Sequence, residues 1–302
     1  MLTESQLKER KKGIGGSDAA AVCGMSKWKT PVDIYIEKTS DEIFHTEENQ
    51  YMYWGNALEP VIVKKYEEET NKVVCTKNSL SSSKEHPFML ANIDGFIPFD
   101  GGILECKTAD SRSSGKWGEP GSDMIPEEYL IQCAHYAIVY DAPYVDLAVL
   151  IGGNDFRIYT YKRNPGLERA IITKEHEFWN EHVLKGIPPE PRTESDLNKL
   201  ITQTKGMMKP ATQPIKDLVL KVKEIKEKIK ELKEEEASLL FSVESAIDDY
   251  DGLVDEFGDA LCTWKIQQSN RFDTTFFKKL HPDIYSQFVK PSTSRVFRLR
   301  RD

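Results

Sequence analysis

Three residues in the stretch 89–109 have the types and the spacing that metal-assisted hydrolysis needs. The stretch reads MLANIDGFIPFDGGILECKTA, with Asp94 before a turn and Glu105 and Lys107 two residues apart in the apolar run that follows. Side chains alternate between the two faces of a strand, so Glu105 and Lys107 are predicted to share a face. If Asp94 closes the preceding strand of a hairpin, two carboxylates and an ammonium meet at one edge of a sheet.

These residue types suit a divalent cation beside a phosphodiester. Mg²⁺ takes oxygen ligands and keeps several waters, so Asp94, Glu105 and the carbonyl oxygen of Cys106 are candidate ligands, with Mn²⁺ as a substitute ion. Such an ion acidifies a bound water and stabilises charge developing on phosphorus, and Lys107 adds a cation near the water or the phosphate. The stretch therefore predicts a hydrolase of phosphodiesters.

An ordinary salt bridge at the edge of a hairpin is the competing interpretation. A Glu-x-Lys triplet recurs at residues 9–11, 224–226 and 231–233. Exposed ion pairs of this kind contribute roughly 0–1 kcal/mol and need no functional explanation. Only the triplet that begins at Glu105 lies in a predicted strand, so the surrounding sequence decides between the two interpretations.

The elements around this stretch predict a mixed α/β core. Helices are expected over residues 3–12, from 17 onward, and over 52–70, 126–140 and 168–184, and strands over 73–76, 89–93, 103–107, 145–151 and 156–161. Ser17 or Asp18 is expected to cap the second helix, and Pro60 to lie in the first turn of the third. Strands and helices in this order predict a sheet with helices on its faces.

The sequence beyond the linker GIPPEPR predicts a separate extension, so we assign residues 1–190 to the core and 191–302 to the extension. Apolar residues recur at intervals of three and four from Leu218 to Val243, with one break at Glu236. This pattern predicts a long helix over 214–247 with a coiled-coil-like seam, followed by a small basic α+β tail. The seam is expected to pair with another subunit or to fold back on its own chain.

Composition favours a soluble cytoplasmic protein. The first residues, MLTESQLKERKK, lack the apolar run of a signal peptide, and no stretch is apolar for the roughly 18 residues that a membrane span needs. The five cysteines are scattered, which argues against zinc and against a four-thiolate iron–sulfur cluster. The net charge of −8 is unusual for a DNA-binding protein, but the acidic excess lies entirely in residues 1–190.

Five segments together resemble a known family. In order they read GIGGSDAAAVCG, WGNALEPVIVKKYEEET, LANIDGF, GGILECKTA and PEEYLIQCAHYAIVY. On these segments the chain is similar to the YqaJ-like viral recombinases, which are phage exonucleases of the lambda-exonuclease type within the PD-(D/E)XK nuclease superfamily. The resemblance covers residues 10–190 and continues more weakly into the tail. It implies a PD-(D/E)XK core and a metal-dependent DNA exonuclease.

The resemblance also implies roles for residues outside the carboxylate stretch. Arg10 and Ser17 match positions that hold the terminal 5′-phosphate of DNA. Glu59 matches a further metal ligand, although composition alone would leave it facing solvent. Gln132 and Tyr136 are four apart on one predicted helix face and match a Gln-x-x-x-Tyr helix whose glutamine orients the nucleophilic water or the scissile phosphate. The predicted catalytic set is therefore Asp94, Glu105, Lys107, Gln132 and Glu59, and the predicted metal ligands are Asp94, Glu105, Cys106 and Glu59.

Further DNA contacts are predicted less directly. The loop expected over 110–125 contains Arg112, Lys116 and Trp117, which could clamp phosphates or wedge a base pair, or could simply belong to a surface loop. Tyr136 is another candidate contact. Asn92 stands where lambda-type members offer a hydroxyl to the end phosphate, so the contacts to that phosphate are expected to differ.

The resemblance implies a 5′→3′ exonuclease that leaves 3′ overhangs on double-stranded DNA for a phage single-strand annealing protein, working as a ring trimer in a bacterial host. Two alternatives remain open. One is a restriction-type or junction-cleaving endonuclease with the same metal site. The other is a catalytically inactive module that binds DNA ends, although the intact acidic set argues against it.

Overall fold

The computed structural model describes residues 4–41, 49–76, 79–201, 208–290 and 296–300. The chain forms two compact units, Met1–Thr202 and Gln203–Asp302. The first unit extends past the predicted boundary at residue 190, because the segment after the linker packs on it: Thr30 Oγ1 donates a hydrogen bond to Asp196 Oδ1 at 2.7 Å.

The first unit alternates helices and strands along the chain. The helices are α1 (Glu4–Arg10), α2 (Gly16–Val22), α3 (Pro31–Thr39), α4 (Gln50–Thr70), α5 (Glu127–Tyr140), α6 (Pro165–Glu177) and α7 (Glu194–Leu200). The strands are β1 (Ile14–Gly15), β2 (Cys75–Thr76), β3 (Ser81–Ser82), β4 (Met89–Ala91), β5 (Gly95–Ile97), β6 (Gly102–Ala109), β7 (Tyr144–Ile151) and β8 (Asp155–Lys162). A 3₁₀ turn covers Ser111–Lys116 and a π-helical turn covers Phe178–Val183.

The central sheet has the strand order β2-β5-β6-β7-β8. β6 pairs in parallel with β7 and antiparallel with β5, and β7 pairs antiparallel with β8. The turn between β7 and β8 uses Gly152 and Gly153 at φ values of 61° and 83°, a conformation that favours glycine. The sheet is therefore mixed, as the sequence predicted.

Helices cover both faces of this sheet. On one face, Ile62, Val63 and Tyr66 of α4 pack with Leu104 of β6 and Ala148 of β7. On the other face, α5 and α2 pack on side chains from the same central strands in a larger cluster that includes Ala20, Ile103, Ala134, Leu147 and Val149. β6 thus lies between two apolar layers for its first half, and its second half is only half-buried.

The predicted position of Pro60 in the first turn of the third helix is wrong. α4 begins at Gln50, where the Asn49 side chain accepts the Met52 N–H at 2.9 Å, so Pro60 lies in the helix interior and not in its first turn. Proline cannot donate the hydrogen bond that its position in the helix would otherwise make. Burial of Ile62 and Tyr66 just beyond it stabilises the helix across this position.

The predicted cap of the second helix is also wrong. α2 begins at Gly16 after Gly15, whose N–H donates to Asp18 Oδ2 at 3.2 Å. Asp18 therefore acts from inside the first turn, and Ser17 is not the cap. A Cβ on Gly16 would lie 2.3 Å from Cε1 of Tyr136, so the close approach of α2 to α5 requires glycine at that position.

The second unit contains the long helix α8 (Gln213–Ile247), then the antiparallel pair β9 (Gly252–Val254) and β10 (Ala260–Thr263), and the helices α9 (Thr274–Leu280) and α10 (Pro282–Phe288). The predicted long helix and small α+β unit are confirmed. In the described part of the chain, no helix combines the length and apolarity needed to cross a bilayer.

Candidate active site

The edge of β6 opens where its pairing with β5 ends. The last pair of that ladder is Gly95 with Leu104, whereas pairing with β7 continues to Ala109. Asp94 immediately precedes β5, and its Oδ2 accepts the Cys106 N–H at 2.8 Å. The Asp94 carboxylate thus accepts a backbone hydrogen bond from β6 just beyond the last residue pair of the β5–β6 ladder. Asp94 therefore lies beside the central strand, as the sequence predicted.

Glu105 is the most buried carboxylate of the predicted set, with 2% of its surface exposed. Its Oε1 accepts hydrogen bonds from Gln132 Nε2 at 2.8 Å and from the Lys107 ammonium. Its Oε2 is buried and has no hydrogen-bond partner among the described residues. A buried carboxylate oxygen without a partner is costly, so this atom is a candidate ligand for a cation or an ordered water.

The electrostatics of the cluster favour a bound cation. Burial raises the pKa of Glu105, and the charge of Asp94 raises it further. Burial also raises the pKa of Asp94, against the lowering effect of Lys107. Burial disfavours the Lys107 ammonium, but the carboxylates of Glu105 and Asp94 outweigh it and hold the pKa of Lys107 above its ordinary value. Two carboxylates therefore share one ammonium group, so a bound divalent cation would be stabilised by the remaining negative charge.

Glu59 lies half-buried on α4 within the same electrostatic field. Burial raises its pKa, the charge of Asp94 adds to the rise, and Lys107 opposes it. Among the described residues, no three Asp, Glu, His or Cys side chains already have the arrangement of a metal site. The donor set of Asp94, Glu105 and a backbone carbonyl still fits Mg²⁺, which ordinarily completes its coordination with waters and phosphate oxygens.

Gln132 and Tyr136 share a face of α5, as their spacing predicted, and Gln132 contacts the carboxylate of Glu105. Gln132 donates from Nε2 to Glu105 and also to the hydroxyl of Tyr136 at 2.9 Å. Both side chains are buried. Burial and the charge of Glu105 raise the pKa of Tyr136 well above its ordinary value, so its hydroxyl is neutral. The amide of Gln132 is therefore held in place by two hydrogen bonds, one to Glu105 and one to Tyr136.

Arg10 and Ser17 lie together near Tyr136. The Nη2 of Arg10 donates to Ser17 Oγ at 2.8 Å, and the charge of Arg10 offsets a small part of the rise that burial causes in the pKa of Tyr136. Asn92 lines the same cleft as Arg10, and its Oδ1 is buried with no partner among the described residues. The predicted phosphate-binding pair thus lies next to the helix that carries Gln132.

The predicted contacts in residues 110–125 need one correction. Arg112 and Lys116 are exposed, and Arg112 Nε donates to Asp110 at 2.9 Å. Trp117, in contrast, is 6% exposed and packs against the rings of Tyr129 and Tyr159, with centroids 5.6 and 5.4 Å away. Its ring belongs to the core and cannot wedge a base pair without leaving it.

His135 has a role that sequence reasoning missed. Both its ring nitrogens have acceptors, Glu175 Oε1 and the Leu90 carbonyl, each at 2.9 Å. Burial lowers the pKa of His135, but the Glu175 charge and these contacts outweigh it and raise that pKa, so a buried imidazolium joins α5 to β4 and α6. Its partners lie 45 and 40 residues away, so no local pattern could show them.

His135→Ala is expected to destabilise the first unit by about 3–5 kcal/mol, because it leaves the fully buried Glu175 carboxylate without its cation. The measurement is the free energy of unfolding from denaturant titration. His176→Ala is the matched control: this neighbour of Glu175 is exposed, so its loss should cost less than about 0.5 kcal/mol. Equal effects of the two substitutions would contradict a structural role for the buried ion pair.

Comparison with known proteins identifies nucleases with a similar fold. The fold, a mixed sheet with helices on its faces, is shared with a solved nuclease: an alkaline exonuclease from Laribacter hongkongensis superposes with a TM-score of 0.50 at 20% identity, over 61% of this chain and 94% of that one. The same exonuclease in complex with dAMP matches with a TM-score of 0.50 at 21% identity.

Residues 6–143 match the family model of the YqaJ-like viral recombinase domain. The uncharacterized protein YqaJ of Bacillus subtilis (strain 168) is 33% identical over 308 residues, which covers 99% of this chain and 95% of that protein. The chain belongs to the YqaJ-like viral recombinase family, and the predicted family is confirmed.

Proposed function

We propose that the protein is a metal-dependent exonuclease that degrades linear double-stranded DNA from 5′ ends and leaves 3′ overhangs. The observation that carries the proposal is the unpartnered buried Oε2 of Glu105 beside Asp94, at the open edge of the central strand. Membership of a recombinase family and the fold shared with alkaline exonucleases support the same conclusion.

The donor set defines the proposed metal site. Asp94, Glu105 and the Cys106 carbonyl would hold Mg²⁺, or Mn²⁺ in its place, with Glu59 as a further ligand from α4. Bound there, the ion would supply an acidified water and a positive charge close to phosphorus. This assignment uses oxygen donors only, which is the preference of both ions.

The surrounding side chains prepare that water and the phosphate. Lys107 keeps its proton, so its ammonium stabilises negative charge that develops on the phosphate oxygens. Gln132 donates one amide hydrogen to Glu105 and another to Tyr136, which fixes the amide and the Glu105 carboxylate relative to each other. A fixed carboxylate orients the nucleophile without reorganisation during the reaction.

Arg10 and Ser17 support action at an end. A guanidinium and a hydroxyl that are already hydrogen-bonded to each other form a ready contact for a terminal phosphate. With the terminal phosphate bound by Arg10 and Ser17, the separation between these residues and the metal ligands would determine which phosphodiester of the strand is cut. An endonuclease with the same metal site would not need such a pair.

Linear and covalently closed circular forms of one plasmid distinguish these two activities. We expect the linear form to be degraded in Mg²⁺ or Mn²⁺ and the closed circle to stay intact, because the circle offers no end. Addition of EDTA should stop digestion of the linear form. Cleavage of the closed circle at a similar rate would identify an endonuclease, and no cleavage of either form would favour a module that only binds DNA ends.

We further propose that the enzyme works in the bacterial cytoplasm as a ring trimer and hands its 3′ overhang to a phage single-strand annealing protein. The support is the family membership, since these recombinases act in DNA recombination. Light scattering on the full chain should report three chains per particle, and a monomer that still digests DNA processively would exclude the ring.

A further inference from the structure

The helix α8 exposes a regular apolar seam. Heptad positions a hold Ile215, Val222 and Ile229, and positions d hold Leu218, Ile225 and Leu232. These six side chains are between 38% and 63% exposed, and Ile247 at the end of the helix is its one buried residue among those described. Three heptads of helix thus present the pattern that packs by knobs into holes.

The charges beside this seam are segregated by sign. Four of the six flanking positions e and g hold lysine, namely Lys221, Lys226, Lys228 and Lys233, and all four side chains are exposed; the first e is Val219 and the last g is Glu235. Apart from Glu235 at the last g position, the acidic residues of the three heptads occupy positions c and f on the far face: Asp217, Glu224, Glu227, Glu231 and Glu234. Within the described residues none of the four flanking lysines forms an ion pair. Both edges of the seam are therefore basic from residue 221 to residue 233.

Basic edges oppose pairing of α8 with a second copy of itself. In a parallel pair, position g of one helix faces position e of the next heptad in the other, which brings Lys221 against Lys226 and Lys228 against Lys233. In an antiparallel pair, e faces e and g faces g, which again brings lysines together. Like charges at these positions are destabilising, so another helix with acidic edges fits better.

We propose that the seam of α8 from Ile215 to Leu232 docks an acidic amphipathic helix of a partner protein as a two-stranded coiled coil. β-branched residues at a and mainly leucine at d favour two strands. Acidic residues at e and g of the partner would pair with the lysines on both edges. Glu236 at the next a position interrupts the apolar pattern, which resumes at Leu239, so the uninterrupted seam and the helix docked on it span about three heptads.

Two synthetic peptides test this choice of partner. Both have three heptads with isoleucine at a and leucine at d, and they differ only in glutamate or lysine at e and g. Fluorescence anisotropy with the full chain should show that the acidic peptide binds at least about tenfold more tightly than the basic one, and that its binding weakens as salt is raised.

Charge reversal supplies the matched controls. The triple variant Lys226→Glu, Lys228→Glu, Lys233→Glu should reverse the peptide preference. The variant Lys216→Glu, Lys223→Glu, Lys230→Glu makes the same change in net charge at b positions and should keep the parental preference. Circular dichroism checks that both variants retain the helix. Equal affinity for the two peptides, binding of neither, or the same response in both variants would overturn the proposal and point to a seam covered by this chain itself.

Discussion

Asp94→Ala is expected to reduce DNA hydrolysis at least about a thousandfold while the chain stays folded. The substitution removes a ligand of the proposed metal and half of the negative charge that balances Lys107. Its structural cost is the hydrogen bond from the Cys106 N–H at 2.8 Å, which is worth about 1 kcal/mol. The measurements are the rate of digestion of linear duplex in Mg²⁺ and the free energy of unfolding.

Asp100→Ala is the matched control for this prediction. Asp100 lies in the turn between β5 and β6 and also accepts a backbone N–H, from Gly102 at 3.2 Å, but its other partners are the hydroxyl of Tyr144 at 2.7 Å and the ammonium of Lys72 at 3.8 Å. Its loss should leave the rate within about twofold of the parent. Calorimetric titration with Mn²⁺ gives a second readout, because Asp94→Ala should weaken ion binding without DNA present. An Asp94→Ala protein that digests linear DNA at the parental rate would remove Asp94 from the site.

The carboxylate cluster could be predicted because its spacing is local. The two-residue period of a strand placed Glu105 beside Lys107, and the four-residue spacing of a helix placed Gln132 beside Tyr136. The hydrogen bond between Gln132 and Glu105 crosses 27 residues, and only the family resemblance anticipated that these residues belong to one site.

What the sequence did not predict depends on distant partners. The sequence on both sides of Trp117 has the composition of a surface loop. Trp117 is buried because its ring packs against Tyr129 and Tyr159, which belong to other elements. Pro60 was placed in a first turn because proline is common there, whereas here the buried face beyond it stabilises a helix that continues through the proline. The heptad pattern of α8 could be predicted from the sequence. The binding partner of its apolar seam could not, because the pattern is local and the partner is not.

A 5′-phosphorylated end should be degraded about ten- to a hundredfold faster than a 5′-hydroxyl end, and Arg10→Ala should remove most of that difference. A charge-assisted hydrogen bond to a phosphate is worth about 1.5–3 kcal/mol, which corresponds to this range of rates. The Nη2 of Arg10 already donates to Ser17, so the side chain is ordered before the DNA arrives. The measurement is the initial rate on one blunt duplex that carries either end.

The variants separate loss of the phosphate contact from a general loss of activity. Arg10→Ala should slow digestion of the phosphorylated end and leave the hydroxyl end nearly unchanged, because the hydroxyl end has no phosphate to lose. Arg10→Lys keeps the positive charge but lacks the guanidinium group. Its ratio of rates on the two ends should lie between those of the parent protein and Arg10→Ala. Lys29→Ala, which removes a cation paired with Glu37 at 2.6 Å on α3, should keep the parental ratio. Equal rates on the two ends in the parent protein would argue against Arg10 as an end-phosphate contact and for the endonuclease alternative.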